Sequence, residues 1–175
     1  MRVLGYTLLC LVAIVPLPTA GQDTLARVGV LDLTGDRIDQ ADLISLSDRL
    51  RIELFRTGRF TIVEREAMAS ILEEQGFQQS GCTSTECVVQ MGELVGAEKM
   101  IAGHIGRVAD VQMLSLRLVD VRSGTIERTA VRDCAGCSLA DILTRSIREA
   151  ALELAGAEAV QAREAAPHQL SLIHI

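Results

Sequence analysis

The chain has few aromatic residues and no concentration of positive charge. Aromatic residues make up 2% of its 175 positions, tryptophan is absent, and the formal net charge is -6. Binding of single-stranded nucleic acid needs aromatic side chains along a basic groove, and an acidic surface repels a phosphate backbone unless basic residues cluster. Nucleic acid is therefore not an expected partner, and aromatic sugar-binding platforms are excluded in the same way.

Signatures of catalysis are also missing. The sequence contains no GxxxxGK[ST] loop, HExxH helix or GxSxG elbow. His168 and His174 lie in the C-terminal tail, which leaves His104 in a predicted strand. A lone strand histidine is more often an edge or core residue than a base. Three aspartates near strand ends are interpreted as turn formers or salt-bridge partners: Asp32, Asp36 and Asp120. We predict no enzyme, no catalytic residue, no metal site and no cofactor.

The N-terminus has the pattern of a bacterial secretory signal peptide. A short basic start is followed by an apolar run over residues 3–15 and a helix-breaking, small-residue region over 16–21. The run is shorter than the roughly 20 residues that a membrane span needs. The alternative, a buried core helix, would have no amphipathic face. Cys10 lies inside the run, so no lipid-anchor cysteine is recognised. We expect residues 1–21 to be a signal peptide and the mature chain to be a periplasmic protein without a membrane span.

Four further cysteines form two closely spaced pairs, Cys82 with Cys87 and Cys134 with Cys137. Disulfides persist in exported proteins, so structural bridges are favoured here. Four cysteines allow three pairings, and the local pairing is the simplest. Each bridge would then fix the loop before a helix, where the sequence predicts capping boxes: Thr83 with Glu86, and Ser138 with Asp141.

A helix N-terminus also stabilises thiolates, which keeps a redox role open. The CxxC of Cys134 and Cys137 follows the last predicted strand, however, and not an early strand of a thioredoxin-like unit. A four-cysteine zinc site is weaker still, because zinc frameworks usually repeat the short spacing in both halves. A periplasmic thiol-disulfide redox protein therefore remains the alternative function.

Hydrophobic periodicity predicts an α+β domain over residues 27–156. A first strand (27–33), central in the sheet, precedes a helix (about 42–56) with leucines at helical spacing. A strand near residue 60, a helix ended by Gly76 and a helix between Thr83 and Gly96 follow. The charged residues of the first helix are interpreted as a solvated surface: Arg49, Arg51, Glu53 and Arg56.

Three strands then form an antiparallel meander at residues 99–108, 111–121 and 125–132, and a helix follows at about 138–155. Gly103 and Gly106 in the first of these strands predict a bulge or a close backbone approach. The order β-α-β-α-α-β-β-β-α gives a mixed β-sheet of four to five strands flanked by helices. Residues 157–175 are predicted to be a flexible tail, and their ending LSLIHI resembles translated sequencing adaptor, so the last residues need not be native.

Several segments resemble the CsgG-like family, the curli production assembly and transport components, with a periplasmic domain akin to the N-terminal domain of TolB. The most specific is VERxxMxxILxEQ at residues 63–75, accompanied by RVGVLDL, SGCTSTEC and DCAGCS. The resemblance implies a non-enzymatic envelope module that binds other envelope proteins, with a homo-oligomer as an open alternative. The loops are too short for membrane-spanning hairpins of roughly ten residues per strand. The resemblance therefore implies an accessory or regulatory module and not a pore.

Overall fold

The computed structural model describes residues 25–76 and 84–156, and the structural statements below concern these residues. The elements run in the order β1 (Ala26–Val30), β2 (Thr34–Gly35), α1 (Gln40–Arg56), β3 (Phe60–Ile62), α2 (Arg65–Glu74), α3 (Thr85–Val95), β4 (Lys99–Val108), β5 (Val111–Asp120), β6 (Ile126–Ala135), α4 (Leu139–Asp141), a π-helical segment (Ile142–Ser146) and α5 (Ile147–Leu154). The last three elements follow one another without a break.

The strands form one mixed sheet with the order β3-β1-β4-β5-β6. β1 pairs in parallel with β3 and with β4, while β4, β5 and β6 are antiparallel neighbours. The predicted α+β class is confirmed, and β1 lies inside the sheet as expected. The sheet has six strands and not four to five, because Thr34 and Gly35 pair with β4 as a short β2. Two residues are too few to show the alternation by which strands are recognised.

Two hydrophobic cores lie on opposite faces of this sheet. The first core contains the predicted α1 leucines, Leu43, Leu46, Leu50 and Leu54, packed with α5 and β5. The second core is formed by α2 and α3 against the other face. Successive strand residues point to opposite faces, so Ile101 of β4 enters the first core and its neighbours Met100 and Ala102 enter the second.

The charged residues of α1 are only partly the solvated surface that the sequence predicts. Arg51 and Glu53 are buried, at 8% and 6% exposure. Both are held in ion pairs, Arg51 with Asp32 and Glu53 with Arg49. A partner 19 residues away, such as Asp32 for Arg51, cannot be read from the charge pattern of a single helix.

The helix ends confirm one predicted capping box and correct the other. Ser138 and Asp141 form the predicted box at the start of α4. The N-cap of α3 is Ser84, whose side chain accepts a hydrogen bond from the Cys87 backbone N–H at 3.2 Å. This replaces the predicted pair of Thr83 with Glu86, since the Ser84 oxygen in the N-cap position satisfies one of the free N–H groups of the first turn.

Gly103 marks a close approach on β4, which was one of its two predicted roles. A Cβ built there would overlap side-chain atoms of Leu116 and Leu33, closer than van der Waals contact allows. The irregular register in the meander lies instead between β5 and β6, at Leu118/Val119. Gly106 has no such crowding, with its nearest atom at 3.6 Å from a built Cβ.

Three predictions lie outside the described residues: the signal peptide (1–21), Cys82, and the tail (157–175). The predicted boundaries of the domain likewise stay predictions. Among the described residues, no helix combines the length and the apolar character needed to span a membrane.

Candidate functional site

Asp32 lies two residues after β1 and forms ion pairs with two arginines. Its carboxylate accepts hydrogen bonds from Arg51 of α1 at 2.8 Å and from Arg65 of α2 at 3.1 and 3.3 Å. Arg51 also donates to the Val30 carbonyl at 2.7 Å. Burial alone would raise the pKa of Asp32, but the hydrogen bonds from Arg65 and Arg51 outweigh it and hold that pKa below its ordinary value. The predicted salt-bridge role of Asp32 agrees with this geometry.

The meander leaves one sheet face largely without helices. The α2 and α3 helices cover Met100, Ala102 and Val119 of β4 and β5, but the same face continues beyond them. We call this remaining surface the open face. Following the alternation and the strand register, it presents four exposed apolar residues and four polar ones: Val108, Met113, Ile126, Val131, His104, Ser115, Arg117 and Thr129. The apolar members are 72%, 36%, 49% and 46% exposed.

His104 lies on the open face and contacts residues of β2 and of the turn that follows it. Its Nδ1 is 2.9 Å from the Thr34 hydroxyl, and its Nε2 is 3.6 Å from the Asp36 carboxylate. Thr34 also donates to the Gly103 carbonyl at 3.3 Å. These contacts join the short strand β2 to β4, which gives His104 a structural role.

Two cavities border this region. One of about 130 Å³ lies on the open face and is lined by Asp32, Thr34, His104, Ser115 and Arg117 among others. A larger groove of about 930 Å³ lies at the same end of the sheet, where the loop before α1, the β4–β5 turn and the start of α4 meet. No group of three or more His, Cys, Asp or Glu side chains within residues 25–76 and 84–156 is arranged to hold a metal ion.

The cysteines lie at the ends of the meander and of α3. Cys134, at the end of β6, is joined by a disulfide to Cys137 just before α4, with the two Cα atoms 5.6 Å apart. The Cys137 carbonyl accepts a hydrogen bond from Gln112 at 2.6 Å, which ties the bridge to β5. Cys87 is also disulfide-bonded, while Cys82 lies outside the described residues. The roles assigned to the four cysteines, structural bridges against redox chemistry, stay predictions.

Of the remaining aspartates, Asp120 is a turn former as predicted. Its side chain accepts hydrogen bonds from the Ser123 backbone and hydroxyl, both at 2.8 Å, which orders the β5–β6 turn. The open face is the functional candidate that the sequence reasoning missed. The available signal was in β5 and β6, where Met113, Ile126 and Val131 place apolar side chains opposite the buried face although no helix remains to cover them.

An exposed apolar patch interleaved with polar side chains is a common property of protein-binding surfaces. The fold and this surface together describe an α+β domain with a candidate binding surface. A family model described as "Peptidoglycan-synthase activator LpoB" matches residues 17–128, and the chain belongs to this family.

Solved structures agree on the fold. The C-terminal domain of LpoB from Salmonella enterica has 15% sequence identity and a TM-score of 0.53, covering 66% of this chain and 87% of that one. The same domain from Escherichia coli has 15% identity and a TM-score of 0.54, covering 63% and 83%. Identities at this level show the shared fold. A comparison with curated protein sequences found no match.

The CsgG-like assignment made from the sequence is wrong. The family model that matches is that of LpoB, over residues 17–128, and TolB from Acinetobacter baumannii, at 18% identity, reaches a TM-score of 0.46, which is too low to carry an assignment. The more general prediction, a non-enzymatic accessory protein of the cell envelope, agrees with this family, which is described as an activator of peptidoglycan synthases.

Proposed function

We propose that this chain is an envelope accessory protein that activates a peptidoglycan synthase by binding to it directly. The observation that carries this proposal is the match of the LpoB family model to residues 17–128. Within the described residues, the exposed apolar side chains of the open face support a binding role, since they offer surface that a partner can bury.

The open face is the proposed contact surface for the synthase. Exposed apolar residues such as Met113 and Val131 provide area that a partner can desolvate, and Arg117 is of a type enriched in interfaces. The face is presented by three long paired strands, with ten residues in each of β4, β5 and β6. A surface built on such a rigid scaffold binds without a large ordering cost.

The test uses the purified chain and the peptidoglycan synthase of the same organism. The rate of glycan polymerisation is measured with and without the chain, and the affinity is measured by calorimetry. The double variant Met113→Glu with Val131→Glu places two charges on the open face and should weaken binding by at least about tenfold. Leu25→Glu is the control, because Leu25 is an apolar residue of similar exposure, 48%, that precedes β1 and is not one of the open-face residues.

The outcomes separate the two parts of the proposal. A chain that neither binds the synthase nor changes its rate would refute the proposed activity. If the chain binds and activates while the double variant behaves like the wild type, the activity stands and the open face is not the contact surface.

A further inference from the structure

The outer surface of α1 carries a second exposed patch, on the side of the sheet away from the open face. We call it the basic-apolar patch and define it by five residues: Arg49, Ile52, Phe55, Arg56 and Arg148. Phe55 and Ile52 are 68% and 47% exposed. Positions 49, 52 and 56 follow helical spacing and so share one side of α1, while the helix buries its leucines on the other.

A single buried carboxylate organises the arginines of this patch. Glu53 is 6% exposed and lies 2.7 Å from Arg49, 3.2 Å from Arg56 and 3.9 Å from Arg148 of α5. Three guanidinium groups thus surround one carboxylate, which leaves two positive charges in excess. The side chains of Arg56 and Arg148 are 60% and 57% exposed, so that excess is presented to the surroundings.

The local charge is opposite to that of the whole molecule. The chain carries a formal net charge of -6, yet the patch combines excess positive charge with two exposed apolar side chains. A mixed surface of an acidic protein normally disperses such groups. Their concentration around Phe55 indicates an occupant that is both anionic and able to accept an apolar side chain.

We propose that the basic-apolar patch binds the surface of a membrane that contains anionic phospholipids. Phosphate groups would pair with Arg49, Arg56 and Arg148, because a guanidinium matches a phosphate with two parallel hydrogen bonds. Phe55 and Ile52 would enter the boundary between headgroups and acyl chains, as apolar residues of interfacial helices do.

A lipid surface accounts for both components of the patch. A polyanion without apolar groups would satisfy the arginines but would leave Phe55 and Ile52 in water. An anionic lipid surface offers phosphate groups and an apolar interior side by side. Because the patch and the open face lie on opposite sides of the sheet, both can be occupied at once, and this inference does not depend on the proposed synthase activity.

The absence of tryptophan makes a clean test possible. Phe55→Trp introduces a single fluorescent reporter into the patch, and Val131→Trp places the same reporter on the open face. The chain is produced in an exporting host, so that any processing of its N-terminus is shared by all variants. Each variant is titrated with vesicles of phosphatidylethanolamine containing about 30% phosphatidylglycerol, and with phosphatidylcholine vesicles.

The reporter at position 55 should shift to shorter wavelength with the anionic vesicles, and about 0.5 M salt should suppress the shift. The reporter at position 131 should not shift. Removing two charges with Arg56→Gln and Arg148→Gln should weaken vesicle binding by about tenfold to thirtyfold. The matched control, Arg107→Gln with Arg122→Gln, removes the same charge from exposed positions outside the patch and should leave binding unchanged.

Three results would overturn the proposal. The first is no shift at position 55 with anionic vesicles. The second is an equal shift with neutral vesicles, which would show that the arginines and the anionic headgroups do not contribute to binding. The third is a shift with polyglutamate but not with vesicles, which would assign the patch to an acidic protein.

Discussion

The two halves of the sheet differ in how they are covered. Around β1, helices pack on both faces, with α1 on one side and α2 on the other. In the meander, α5 covers one face, and the opposite face stays open beyond the reach of α2 and α3. The half with two covered faces holds the buried ion pairs of Asp32 and Glu53. The half with one covered face also contributes side chains to both cores, and in addition it presents exposed apolar residues that are available to a partner.

The largest effect should come from Asp32 in the covered half. Asp32→Ala would remove the buried one of the two carboxylates that pair with Arg51, leaving only the half-exposed Asp48, and loss of one member of a buried pair costs up to about 3–5 kcal/mol of unfolding free energy. Chemical denaturation measures the change. Asp36→Ala is the control, because its side chain is 76% exposed and should cost less than about 0.5 kcal/mol. Equal effects of the two substitutions would contradict the assigned role of Asp32.

Because of Asp32, we expect the unfolding free energy to depend on pH. The pKa of Asp32 is lowered in the folded protein, so its ionised form stabilises the fold above the unfolded-state value of about 4. That contribution is lost as the pH falls through the lower, folded-state pKa. The difference in unfolding free energy between wild type and Asp32→Asn should therefore be constant near neutral pH and shrink in acid. A difference that stays constant down to about pH 2 would count against this account.

A substitution at Gly103 should lower the unfolding free energy by less than the substitution at Asp32, and it tests how closely β4 packs against Leu116 and Leu33. Gly103→Ala would force Leu116 and Leu33 to move, and overpacking of this kind costs about 1–3 kcal/mol. Gly106→Ala on the same strand meets no atom closer than 3.6 Å and serves as its control. Thermal unfolding of both variants provides the measurement, and a loss that is as large at Gly106 would show that strand propensity and not packing is responsible.

The N-cap of α3 should contribute less. Ser84→Ala removes the acceptor for the Cys87 backbone N–H and should cost about 1 kcal/mol. Ser45→Ala is the matched control within α1, where the hydroxyl only returns to the Ala41 carbonyl. Denaturant midpoints of the two variants can be compared directly. If Ser84→Ala were neutral, the capping role would be refuted.

The smallest effect on stability is expected on the open face. Val131→Thr exchanges a half-exposed β-branched residue for a polar one of similar shape and should change the unfolding free energy by less than about 0.5 kcal/mol. Binding to the synthase should nevertheless weaken, which calorimetry would detect. A large loss of stability would show that the open face belongs to the folded core and not to an interface.

The sequence predicted what local pattern determines. The β4–β5 hairpin was recognised because residues 111–120 alternate between buried and partly exposed positions, and the predicted α1 leucines all enter the first core. Arg51 and Glu53 were misjudged because their burial depends on partners brought in by tertiary structure, such as Asp32. Most of the apolar residues of the open face are visible in the sequences of β5 and β6, but their exposure follows from tertiary structure, because α2 and α3 end before they reach them.

The family assignment failed for a related reason. Within the motif used for it, Val63, Met68 and Leu72 are all residues of the second core. These positions are constrained by the packing of β3 and α2 against the sheet. The buried positions of this motif therefore describe how a fold is packed, and packing positions alone do not identify a family.

The position of Asp32 between two helices has a consequence for how the domain opens. The two cores share no side chains, and each could in principle melt as its own unit. Because Arg51 on α1 and Arg65 on α2 hold the same carboxylate, release of either helix weakens the hold on the other. Amide protons of α1 and α2 should therefore exchange with solvent at a common opening free energy, which makes the domain a single cooperative unit.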